Sequence, residues 1–102
     1  MLDEAHFKVV LDRVSDQVFN GKGKERHGHG IPFQDQPWKH IVDNVGDGFT
    51  TGQALKKIFE LKSLKTYAAY EREILGAITY LVMSLMYKEY QEKAINDQEV
   101  PF

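Results

Sequence analysis

Apolar side chains recur from Asp3 to Asn20 at Phe7, Val10, Leu11, Val14 and Val18, the spacing of one face of an α-helix. Asp3 and Glu4 stand where the positive end of that helix favours acidic groups. The pattern stops at Asn20-Gly21, and residues 21–30 hold four glycines and no apolar residue. That composition predicts a loop. Ile31-Pro32-Phe33 returns apolar character and is expected to pin the far end of the loop into the core, so the basic, glycine-rich loop spans residues 21–36. Asp35-Gln36-Pro37 then reads as a helix start with proline near the first helical position.

A short helix is predicted from Pro37 to Val45, with Trp38, Ile41, Val42 and Val45 on one face and Gly46-Asp47-Gly48 ending it. Thr50-Thr51-Gly52-Gln53 matches a capping box, opening a third helix that runs to about Lys62 and buries Leu55, Ile58 and Phe59. After a connection at Ser63 to Thr66, one long helix extends to about Ile95. Its apolar positions are Tyr67, Tyr70, Ile74, Ala77, Ile78, Leu81, Val82, Leu85 and Met86. The tail, residues 96–102, is expected to fray. The fold expected is all-α: a small helical domain of about four helices with a long C-terminal helix, and residues 1–102 form a single domain.

Composition changes this picture little. Hydrophobic residues at 42% and charged residues at 27% are ordinary for a globular chain, and with no cysteine a disulfide scaffold is excluded. The sequence opens with acidic residues and no apolar leader, and its longest apolar stretch, Ile74 to Met86, is interrupted by Gly76, Thr79 and Ser84. Neither a signal peptide nor a membrane span is expected, and a cytoplasmic location follows as the default. The net charge of −2 is unevenly spread: residues 22–65 carry eight basic and five acidic side chains, and both flanks are acidic. This is too mild for nucleic-acid binding and better suited to a small anionic ligand.

The segment from Lys22 to Gly30 holds the most distinctive chemistry. Lys22, Lys24 and Arg26 bring positive charge to a place where glycines let backbone N–H groups approach a phosphate, and His27 and His29 add imidazole donors. The spacing matches neither the Walker A nor the dinucleotide-binding pattern, and a solvated surface loop is the plainer alternative. Three histidines, counting His40, lack the fixed spacing and the fourth ligand of a structural metal site, so no metal is assigned. Trp38 is a candidate stacking surface for a base or a core anchor, and Lys56 and Lys57 are a solvated helix face or further contacts for the same anion. Gly76, inside a helix, costs about 1 kcal/mol relative to alanine, so close approach of another helix or a ligand is expected there.

The order of helices, the basic glycine run and the segment Glu71-Arg72-Glu73-Ile74-Leu75-Gly76-Ala77-Ile78-Thr79-Tyr80-Leu81-Val82-Met83 resemble the MazG-like all-α nucleoside triphosphate pyrophosphohydrolases, particularly the small phage-type members. The resemblance covers residues 7–90 in outline. It implies magnesium held by an E-x-x-E pair on one helix and an E-x-x-D pair on the next, clamping phosphates for attack by water. Glu73 fits the start of the second pair, but Gly76 replaces its aspartate. The preceding helix offers Glu60, with Lys56 and Lys57 where acids belong.

These departures favour a non-catalytic, homo-oligomeric protein that binds, and by binding sequesters, a small phosphorylated or nucleotide-like ligand, with no cofactor and no catalytic residue. One alternative is a magnesium-dependent pyrophosphohydrolase using Glu60, Glu71 and Glu73. The other is an interaction module acting through the long C-terminal helix.

Overall fold

The computed structural model describes residues 2–20 and 31–98, with side chains as far as Ile95. Four α-helices carry the fold: α1 (Glu4–Asn20), α2 (Pro37–Val45), α3 (Gly48–Glu60) and α4 (Tyr67–Gln98), with 3₁₀ turns at Phe33–Asp35 and Leu61–Ser63. The chain is all-α, and no strand occurs among the described residues. No helix is long and apolar enough to cross a membrane.

Local chemistry sets the helix ends. Asp3 caps α1, its Oδ1 accepting from the His6 backbone N–H at 3.0 Å. Thr66 does the same for α4, its Oγ1 accepting from the Ala69 N–H at 3.1 Å. Pro37 stands in the first turn of α2, which ends at Gly46, where φ of 86° lies in the region glycine adopts most readily. The capping box expected at Thr50 is not formed. Helix α3 begins three residues earlier, at Gly48, and Thr50 is wholly buried, donating to the Asp47 carbonyl at 3.0 Å and accepting from the Ser84 hydroxyl at 2.6 Å. At the other end, α4 continues beyond Ile95 into the expected tail as far as Gln98, and residues 99–102 lie outside the described ones.

Helices α3 and α4 form an antiparallel hairpin, with Thr50 against Ser84 at one end and Lys57 against Glu73 at the other. The buried face of α3 is small, Thr50 and Ala54. A Cβ at Gly76 would stand 3.1 Å from Lys57 Cε, so the bare backbone there makes room for the lysine stem crossing from α3. The large residues expected inside, Leu55, Ile58 and Phe59, are exposed instead, Phe59 by 74%. On α1 the expected face is only partly covered, with Val14 buried and Phe7 and Leu11 exposed.

The main core lies under α2, where Trp38, Val42 and Met83 pack with Phe33, Phe49, Tyr80 and Tyr87 around them. Around α4, one side meets α2 and α3, a second meets α1, and a third, carrying Leu81 and Leu85, is open. The molecule is elongated, 57 × 31 × 28 Å, because α4 outruns the helices packed on it.

Candidate functional site

Of the expected site residues, Lys22, Lys24, Arg26, His27 and His29 lie outside the described residues. Aromatic contacts hold the chain on either side of that segment. Phe19, in the last turn of α1, meets Phe33 edge to face with ring centroids 5.2 Å apart. Phe33 is itself held from behind. The Trp38 ring lies 5.2 Å from it, and the Trp38 indole N–H donates to the Phe33 carbonyl at 2.8 Å. Buried Gln36 adds a second tie, its side-chain amide donating to the Ile31 carbonyl at 3.0 Å. Trp38 is therefore a core anchor, 4% exposed.

Phe19 and Phe33 also close one end of a groove between α1 and α4, with a volume of about 280 Å³. Leu11, Val14 and Val18 form one wall and Val82 and Met86 the other. Thr79 turns its hydroxyl back to the Leu75 carbonyl at 2.8 Å, so its methyl rather than its oxygen serves the lining. The groove is thus almost wholly apolar, and it lies near the lower end of the roughly 300–1,000 Å³ typical of small-molecule sites. Such a surface takes a ring or an acyl group by shape and desolvation, and beyond the Ser15 hydroxyl it offers a phosphate little.

The carboxylates that a magnesium site would use are engaged with cations. Glu73 Oε2 accepts from Lys57 Nζ at 3.0 Å in a half-buried pair. Glu71 faces Arg13 at 3.5 Å and accepts from the Tyr67 hydroxyl at 2.9 Å. Glu60 faces Lys56 at 3.7 Å near the surface. Among the described residues no three of His, Cys, Asp and Glu come together as a metal site. His40 is exposed on α2, apart from any such group.

One cationic cluster was not foreseen. Lys39 Nζ donates to both Asp43 oxygens, at 2.9 and 2.7 Å, and stands 4.5 Å above the Tyr90 ring. The hydrogen bond to Asp43 holds its pKa above the usual 10.5 despite some opposing desolvation. The signal existed as the i, i+4 pair Lys39 and Asp43, but the approach of α4 to α2 that supplies the tyrosines is a tertiary fact. The groove was missed for the same reason: its walls come from residues more than sixty positions apart.

Compared with protein-family models, curated proteins and solved structures, the chain matches none.

Proposed function

We propose that the protein is a self-associating helical module that binds a small anionic, nucleotide-like ligand and holds it without turning it over. The observation that carries this reading is the Phe19–Phe33 contact. It joins the chain on either side of the segment bearing Lys22, Lys24, Arg26, His27 and His29 at one end of an apolar groove. The groove supplies the site for the ligand's flat apolar part, and the basic segment supplies charge for its phosphate. Phe33, braced by Trp38, serves as the stacking wall. Holding rather than hydrolysing is supported by Glu60, Glu71 and Glu73, each of which faces a cationic side chain instead of its fellows. In this reading Lys57 serves the fold and Lys56 is a peripheral charge. Self-association is supported by the open face of α4, and a cytoplasmic location accompanies the whole.

The test is a thermal-shift screen against nucleoside mono-, di- and triphosphates and cyclic nucleotides, each with and without magnesium, with phosphate release followed in parallel. A ligand at 100 times its dissociation constant raises stability by about 2.7 kcal/mol, a shift of several degrees for a domain this size. The expected result is a shift by at least one nucleotide, unchanged by magnesium, weakened by salt, and without turnover. Binding through protonated His27 or His29 should also weaken above neutral pH. No shift with any nucleotide would overturn the reading. Magnesium-dependent turnover abolished by Glu73→Gln would replace it with the hydrolase.

A further inference from the structure

The open face of α4 has a register of its own. Ile74, Ile78, Leu81 and Leu85 follow one another at intervals of four, three and four residues, the spacing of a coiled-coil seam. They lie on the side of the helix turned away from Gly76, Tyr80 and Met83, which face the rest of the fold. Leu81 is 50% and Leu85 61% exposed, while Ile74 and Ile78 are half-covered. Continuing the seam by the same intervals reaches Glu71 at one end and Lys88 at the other.

We propose that this seam binds the same seam of a second copy, with the two α4 helices antiparallel about a two-fold axis between Ile78 and Leu81. This rests on the self-association half of the reading above and is independent of any ligand. In that register Ile78 meets Leu81 of the other copy and Ile74 meets Leu85. Glu71 meets Lys88, an opposite charge. One step further out, Tyr67 falls opposite Glu92, a hydroxyl against a carboxylate.

The neighbouring solutions are worse. A parallel pair sets Glu71 on Glu71 and Lys88 on Lys88. Sliding the antiparallel pair by one heptad sets Glu71 against Leu81 in one direction, or Lys88 against Ile78 in the other. Only one register gives apolar layers in the middle and complementary groups at both ends.

Residues 71 to 88 span about 26 Å of helix, and because the hairpin with α3 already holds that helix, pairing carries no nucleation cost.

The chain has no cysteine, so introduced ones report unambiguously. Ile78→Cys mixed with Leu81→Cys, and Ile74→Cys mixed with Leu85→Cys, should cross-link on mild oxidation far faster than any of the four alone. Light scattering of the wild type at tens of micromolar should give twice the chain mass. Leu81→Glu/Leu85→Glu, altering exposed residues, should give the single mass with an unchanged circular dichroism spectrum. Glu71→Lys and Lys88→Glu should each weaken the dimer several-fold and together restore it. Within one chain the double variant sets like charges against Arg13 and Asp47, so restoration can come only from the partner. A monomeric wild type would overturn both the proposal and the self-association it rests on. A dimer that cross-links best between identical positions, or through Val82→Cys in the groove, would leave self-association standing and overturn this register.

Discussion

Gly76 and Lys57 form a single unit. The glycine lets the lysine stem cross α4 and deliver its ammonium to Glu73, and in exchange the helix gives up the backbone preference that alanine would supply. Gly76→Ala should therefore stabilise by less than the full propensity gain in the wild type, since the lysine must shift by a few tenths of an ångström. In a Lys57→Ala background the same change should recover the whole of about 1 kcal/mol. A double-mutant cycle from urea unfolding reads the difference, and equal gains in both backgrounds would mean that Lys57 is not the reason for the glycine. Lys39 gives a prediction in pH. Its pKa is raised by Asp43, so the stability contributed by its charge is present below the ordinary value of 10.5 and lost as pH rises through the folded one. The melting-temperature gap between the wild type and Lys39→Met should stay level from pH 7 to about 10 and narrow above it. A gap that stays level to pH 12 would contradict that assignment.

Helices are legible in a sequence because their periodicity is local, and here the spacing placed α1 and α2 within a residue of where they stand. The side each helix turns inward was harder to read. On α3 the large residues Leu55, Ile58 and Phe59 made the obvious apolar stripe, yet the helix packs through Thr50 and Ala54, with the Lys57 stem laid against Gly76. Ranking residues by hydrophobicity misses contacts decided by shape. The groove between α1 and α4 was beyond local reading altogether, although Val82 and Met86 were already marked as apolar positions on one helix. Its role is open to a change confined to that helix. Val82→Trp places a large ring on a half-exposed position of the groove wall and should leave the melting temperature within a few degrees while weakening nucleotide binding at least tenfold. Full affinity in a folded Val82→Trp protein would move the ligand elsewhere.

For the whole molecule, the fold places two surfaces on the same long helix: the groove shared with α1, and the seam through Leu81 and Leu85 on the open side. The seam and the groove use different residues of α4, so ligand binding and association should be separable by mutation. The central claim is that the basic segment and the groove act together on one ligand. Isothermal titration tests it most directly, using the nucleotide that gives the largest thermal shift against the wild type, Lys24→Ala/Arg26→Ala and Val82→Trp. The account predicts that both variants keep the wild-type circular dichroism spectrum and bind at least tenfold more weakly. It also predicts a smaller salt dependence for Lys24→Ala/Arg26→Ala, since screening over about 8–10 Å acts on the charges that variant removes. Equal affinities in all three proteins would contradict it.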